Sequence, residues 1–228
     1  ALGEMGAKVA ITARKADELK EAEAHLKKKG IEVLTVTNDL SKFEQIPGMV
    51  DAVVAKFGTI DILVNNAGAT WGAPAEDHPD EAWHKVMRVN IDAMFFLSQE
   101  VGRRCMVPRK SGKIINIASV AGLSGSPKGM HAIAYHTSKG AAVNFTRTLA
   151  SEWGRYNINV NAICPGFFPS KMSQGLLSQI GDHIVDATPL GRLGGDEDLM
   201  GTVVFLALVA LRYITGQYVA MCGGARIT

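Results

Sequence analysis

Cysteine is scarce in this chain, and the three it has, Cys105, Cys164 and Cys222, stand far apart. No C-x-x-C pair occurs, so neither a zinc site nor a disulfide framework is expected. The usage fits a reducing compartment, with the cytoplasm as the default. Long apolar runs are lacking too: the longest, residues 203–211, is too short to cross a bilayer. No signal peptide stands out. Charge of one sign is not in excess either. A net charge of +2 gives no reason to expect a nucleic-acid or membrane-surface partner. Internal repeats, low-complexity stretches and linkers are absent. What is left is 228 residues, 47% of them hydrophobic and 20% charged. That is enough chain to bury a substantial core, and one α/β domain is the simplest expectation.

Residues 1–6 read as the last turns of a helix with Gly6 as its C′ residue. A short β-rich run at 8–13 is followed by a charged helix at 17–29, ended by Gly30. A strand at 31–36 leads to Asn38-Asp39-Leu40. Ser41 and Glu44 have capping-box spacing, and Pro47 suits the first turn of a helix running to Phe57. A buried strand at 60–64 stops at Asn65-Asn66-Ala67-Gly68. Pro79 opens a long helical region to Val101, with Asn90 near its middle. Residues 113–118 form a strand that ends at Ser119. A glycine-containing loop then enters a helix carrying Tyr135 and running to about residue 155. Residues 158–163 form a strand stopping at Pro165-Gly166, an irregular, partly helical stretch reaches Gly195, and a helix at 196–208 and a strand at 217–221 follow. Strands alternating with helices of ten or more residues make βαβ units, hence a doubly wound parallel sheet covered on both faces.

In such sheets ligands bind beyond the carboxyl ends of the strands. Asp39, Asn66 with Gly68, Ser119 and Pro165-Gly166 each close a strand. Singly they are ordinary turn formers; as a set on one edge they read as a site. Tyr135 and Lys139 sit at i and i+4, on one helical face. An ammonium beside a phenol favours the phenolate and lowers its pKa from about 10. Such a phenol is a proton donor or acceptor prepared for chemistry near neutral pH.

These stretches, in this order and spacing, resemble the short-chain dehydrogenase/reductase family over nearly the whole chain. They are Asp39-Leu40, Asn65-Asn66-Ala67-Gly68, Asn90 in Val89-Asn90-Ile91, Ser119 in Ile117-Ala118-Ser119-Val120-Ala121-Gly122, Tyr135-x-x-x-Lys139 and Asn161-Ala162-Ile163-Cys164-Pro165-Gly166. The resemblance implies a Rossmann fold and an NAD(P)-dependent oxidoreductase acting on a small-molecule carbonyl or alcohol, assembled as a homotetramer. It implies that Tyr135 exchanges a proton with the substrate oxygen as hydride moves. Lys139 would lower the Tyr135 pKa and bond the nicotinamide ribose, and Ser119 would donate to the same oxygen. Asn90 would hold a helix bend open and anchor a water chain behind Lys139. Asp39 and Leu40 would meet adenine, Asn66-Ala67-Gly68 its ribose, and Pro165, Gly166, Phe168 and Ser170 the nicotinamide. After the second strand of this fold an acidic residue would accept from a ribose 2′-OH; here that strand ends Thr12-Ala13-Arg14-Lys15, with no carboxylate. Arg14 beside Lys15 points to NADP(H) over NAD(H).

Two departures from the family pattern stand out. The usual first strand and its T-G-x-x-x-G-x-G phosphate turn are not in these residues, so the expectation is a dinucleotide-binding domain lacking roughly 20–30 residues at its front. The C-terminal region is unusually apolar at Leu208-Val209-Ala210-Leu211 and Met221-Cys222-Gly223-Gly224, and could pack in a subunit interface. Trp71, Ser119, Leu123 and Phe167 are the expected substrate wall. It is mostly apolar, which favours a 3-oxoacyl thioester or another ketone; a sugar acid of the gluconate type is the alternative.

Overall fold

The structure is a computed structural model and describes residues 1–226. Its strands are β1 (Val9–Ala13), β2 (Val33–Thr37), β3 (Ile62–Asn65), β4 (Gly112–Ile117), β5 (Ile158–Pro165) and β6 (Tyr218–Met221). The main helices are α1 (Ala16–Lys28), α2 (Ile46–Phe57), α3 (Asp80–Met87), α4 (Ala93–Val101), α5 (Ile133–Trp153), α6 (Gln174–Asp186) and α7 (Met200–Ala207). All strand pairs are parallel, as expected of βαβ units. They form two separate sheets, β1-β2 and β3-β4-β5-β6. Between them lies a cavity of about 700 Å³, lined by β1 and β3 and by side chains such as Val36, Met49 and Leu97. Its walls are the facing strand edges, β1 bonded only to β2 and β3 only to β4.

β5 is one of the two inner strands of the larger sheet, and all of it but Pro165 is buried. Its two buried asparagines are not unpaired: Asn159 Nδ2 donates to the carbonyls of Arg212 and Ile214, and Asn161 Nδ2 to that of Ile214. They tie the loop before β6 to the strand. Ile114, Ile158 and Val160 join Val101, Met106 and Ile46 in the main core, each at most 1% exposed.

Three local expectations are corrected. Ser41 does not cap a helix; its hydroxyl and amide both donate to Asp39 Oδ1, at 2.8 and 3.0 Å, and a short 3₁₀ turn, Phe43–Gln45, precedes α2. The turn begins after Lys42, which puts Ser41 one residue outside the N-cap position. The last long helix is shorter than the pattern suggested: residues 196–199 are turns, and the helix starts at Met200. Residues 2–6 are hydrogen-bonded turns and not the end of a helix, although Gly6 does take a positive φ (91°). No helix among the described residues is long and apolar enough to cross a membrane.

Candidate active site

The carboxyl ends of β3, β4 and β5 converge on the start of α5. A buried amide ladder fixes them. Asn65 Nδ2 donates to Asn116 Oδ1 (2.8 Å) and to Ser98 Oγ (3.0 Å), and Asn116 Nδ2 donates to Thr146 Oγ1 (2.9 Å). β3, β4, α4 and α5 are thereby locked in register. Sequence reasoning placed Asn65 only as a strand stop and missed Asn116, Ser98 and Thr146. Asparagines inside apolar strands were the available signal.

Asn90 lies in a five-residue π turn, Arg88–Asp92, between α3 and α4. Its carboxamide is fully occupied: Oδ1 accepts from the Ala69 amide (2.7 Å), and Nδ2 donates to Ala69 O and Ser138 Oγ (both 2.9 Å). These partners are 21 and 48 positions away, so Asn90 is no locally bonded helix asparagine. It clamps the turn after Asn66-Ala67-Gly68 onto the Tyr135 helix. Ser138, absent from the sequence reading, completes the clamp by donating to Tyr135 O at 2.8 Å.

Lys139 is 4% exposed, and its Nζ donates to Ile117 O at 2.7 Å. The ammonium is 5.7 Å from the Tyr135 ring centroid. A Cβ placed on Gly68 would be 3.7 Å from Lys139 Nζ and 3.7 Å from Asn90 Oδ1, which seats that glycine directly over both groups. Gly122 is more constrained, since a Cβ there would lie 2.4 Å from the Lys139 carbonyl carbon. Only glycine lets the loop after Ser119 pack this closely on α5.

Burial acts on both ionisable groups, in opposite directions. It raises the Tyr135 pKa above the ordinary phenol value, with the Ser119 hydroxyl pulling the other way. It lowers Lys139 to about 8. The lowering of Tyr135 by Lys139, expected from helix spacing, is not seen. Spacing alone could not show how deeply the pair is buried, and desolvation dominates.

The remaining expected residues fall into three groups. Ser119 has extended backbone, accepts from the Ala121 amide at 3.1 Å and reaches Pro165 O at 3.5 Å, which joins it to the end of β5. Gly166 is pinned under the C-terminal turn, where a Cβ would meet Cys222 Cα at 2.9 Å. Phe168 packs on Gly194, and Ser170 bonds Ser173 in the turn before α6; Leu123 sits at the foot of the loop after Ser119. Trp71, 44% exposed, precedes a short parallel bridge from Ala73 to Ala132, which brings its segment beside the start of α5. Arg14 and Asp39 follow β1 and β2, and the Asp39 carboxyl lies below its ordinary pKa chiefly through its Ser41 bonds, with a smaller contribution from the Arg14 charge. Leu40, Asn66 and Ala67 line the cavity between the two sheets.

A parallel sheet whose strand ends converge on a buried Ser–Tyr–Lys constellation defines a nucleotide-dependent oxidoreductase. A family model described as enoyl-(acyl carrier protein) reductase matches residues 1–226. The chain belongs to the short-chain dehydrogenase/reductase family. It is 42% identical over 197 residues to a 2-dehydro-3-deoxy-D-gluconate 5-dehydrogenase of Escherichia coli, covering 86% of this chain and 77% of that protein. It is 34% identical over 224 residues to a 3-oxoacyl-(acyl-carrier-protein) reductase of Staphylococcus epidermidis, covering 98% and 90%. The crystal structure of a gluconate 5-dehydrogenase from Burkholderia cenocepacia, in complex with NADP and tartrate, superposes with a TM-score of 0.92 at 33% identity, over 100% of this chain and 88% of that one.

Proposed function

We propose that this chain transfers hydride reversibly between NADP(H) and the carbon of a ketone or secondary alcohol, with Tyr135 as the proton donor in reduction. The observation that carries the reading is the Tyr135 hydroxyl. It lies with Ser119 beside it and the Lys139 ammonium 5.7 Å from its ring centroid, and burial favours its protonated form. Bound NADPH supplies the hydride. As negative charge develops on the substrate oxygen, Tyr135 gives it a proton and Ser119 donates a second hydrogen bond, both in a site poor in water. Ser138 and Asn90 position Tyr135 and the Ala69 turn but touch neither reacting atom.

The residues present fit the two ends of the dinucleotide. Lys139 Nζ has one acceptor, Ile117 O, and an ammonium has three donors. Two N–H groups remain for ribose hydroxyls beside Gly68. At the other end Asn38 Oδ1 is buried without a donor, an acceptor suited to the adenine amino group next to Asp39. Arg14 and Lys15 would hold a 2′-phosphate, and NADP in the Burkholderia relative supports that choice over NAD(H). None of the described residues supplies a glycine-rich pyrophosphate cradle.

Copies of the chain would meet on exposed apolar side chains, Phe95 and Phe96 of α4 and Val209 and Tyr213 near the C-terminus. A homotetramer is the assembly proposed, and sedimentation checks it.

The main test is Tyr135→Phe. NADPH consumption with 5-ketogluconate, acetoacetyl thioesters and diacetyl should fall about 10²–10⁴-fold, the range of a lost general acid, with the circular dichroism spectrum unchanged. Undiminished turnover would sink the reading, and a preference for NADH would remove the role given to Arg14.

A further inference from the structure

Acidic residues are distributed unevenly along this nearly neutral chain. Residues 62–75, 101–151, 153–181 and 199–226 contain no Asp or Glu at all. These four segments supply every side chain placed around the reacting carbonyl: Trp71, Ser119, Tyr135, Lys139, Phe167 and the C-terminal turn over Gly166. The 22 acidic residues lie elsewhere. The pocket walls are thus stripped of negative charge while the chain as a whole is not.

Besides the buried Lys139, an exposed cation, Arg226, stands beside that field. After β6, Gly223 and Gly224 take positive φ values of 59° and 91°, turning the chain back over Gly166. Arg226 then crosses to the loop that links Ser119 to Tyr135. Its guanidinium donates from Nη1 to Ser124 Oγ at 2.5 Å and from Nη2 to Leu123 O at 3.5 Å. Arg103, Arg104, Arg109 and Arg192 are each matched by a carboxylate, whereas Arg226, like Arg14, Arg88, Arg147, Arg155 and Arg212, has no ion pair among the described residues. A guanidinium has five N–H donors, so Arg226 keeps donors beyond these two.

His136 faces the same loop. Its Nε2 is 3.1 Å from Ser126 Oγ and its Nδ1 3.4 Å from Ser124 O, and its ring lies edge-on to Tyr135 with centroids 6.4 Å apart. Both residues belong to the opening of α5. That helix has 21 residues, no acidic residue in its first turn and no side-chain cap, so its positive end is left uncompensated.

We propose that Arg226 and His136, which both bond to the Ser124–Ser126 loop, form an anion subsite that binds a carboxylate on the substrate, so the preferred substrates are keto acids and hydroxy acids rather than neutral ketones. This rests on the carbonyl-reductase reading and names its substrate class. A carboxylate at Arg226 would anchor one end of a short substrate while its carbonyl lies against Ser119 and Tyr135. Planar two-point recognition of a carboxylate is what a guanidinium does better than an ammonium.

The test compares the full chain with NADPH on 5-ketogluconate and on its methyl ester, which differ in one charge. The unaltered chain should show a KM about ten-fold lower for the acid. Arg226→Gln should raise that KM about ten-fold, leave kcat within about two-fold and leave the ester unaffected. Arg226→Lys should recover part of the loss, and His136→Gln should give a smaller change in the same direction. Equal treatment of acid and ester by the unaltered chain would overturn the subsite. So would equal damage to both substrates in Arg226→Gln, the mark of a mere loop staple. High activity confined to a carrier-protein thioester would also overturn it, since an acidic protein partner would then account for the charge pattern. Calorimetric titration with gluconate needs no turnover. Binding that weakens in Arg226→Gln would sustain the subsite even if Tyr135→Phe refuted the chemistry, and unchanged binding would refute it.

Discussion

In the four-stranded sheet Ile114, Ile115, Val160 and Ile163 are each at most 1% exposed, and the asparagines among them are bonded across strands. In the two-stranded sheet β1 alternates between half-buried and exposed, and Ile11 faces the cavity of about 700 Å³. Both sheets are parallel βαβ constructions with an edge on that cavity, yet only the larger has inner strands, β4 and β5, closed off by a neighbour on each side. The groups assigned to catalysis sit on the closed one, where burial can shift a pKa and a clamp such as Asn90 can hold. Of the groups assigned to the adenosine end, Arg14 and Lys15 sit on the open one at exposed positions, with Asn38 buried and Asp39 and Leu40 half-buried beside them, and Asn66 follows β3. Catalytic positioning calls for a packed frame, whereas recognition of a phosphate requires only cations within reach.

Core truncation is the largest test of that contrast. Ile114→Ala removes a side chain from a fully packed environment and should cost about 3–4 kcal/mol. Ile11→Ala, on the cavity wall, leaves neighbours that were not in full contact to begin with and should cost about 1–2 kcal/mol. Urea unfolding measures both. Equal costs would show that the region around β1 is as tightly packed as the larger sheet, and the comparison would break.

A smaller effect is expected from the amide ladder. Asn116→Leu leaves Asn65 Nδ2 with Ser98 alone and deprives Thr146 of its donor, at a cost of about 2–3 kcal/mol for buried groups left unpaired. On the open sheet Thr35→Val, which removes a 3.4 Å bond to Glu23, should leave the unfolding midpoint unchanged. A shift there comparable to that of Asn116→Leu would erase the distinction between the two sheets.

The same contrast explains what could be read from residues alone. Strand ends were legible because Asn, Asp, Ser, Gly and Pro mark them by their own backbone chemistry, and the ends of one parallel sheet must share an edge. The Tyr135–Lys139 spacing was legible because helical periodicity is local. The Asn65–Asn116–Thr146 ladder was not, because which asparagines meet depends on strand register. Nor was the π turn at Asn90, which is held by partners far off in sequence. Ser41 shows a local rule losing to a neighbour: the capping-box spacing was present, but Asp39 captured the hydroxyl. The direction of the Tyr135 shift was misjudged for a related reason. Charge proximity follows from spacing, whereas desolvation follows from everything packed around it. Arg226 was missed because a residue at the far end of the chain reaches the site only through the turn at Gly223 and Gly224.

The gentlest test is pH, and it separates the two ends of the site by kind of charge. Lys139, lowered to about 8 by burial, should hold its proton below that pH and lose it above. Tyr135 is raised, so it stays protonated across the range where Lys139 titrates. Reduction should therefore show kcat/KM constant up to about pH 8 and declining above it, because kcat/KM reports ionisations of the free protein. Lys139→Arg keeps the charge at all accessible pH values and should be slower but lack the decline. Arg14 and Lys15 act on the cofactor through charge at exposed positions, so the KM for NADPH should rise with salt. A profile flat to pH 10 in the unaltered chain would mean that the ammonium is not part of the reacting assembly. A decline that persists in Lys139→Arg would move the titration to another group, with Cys164, raised to about 11, too high to serve.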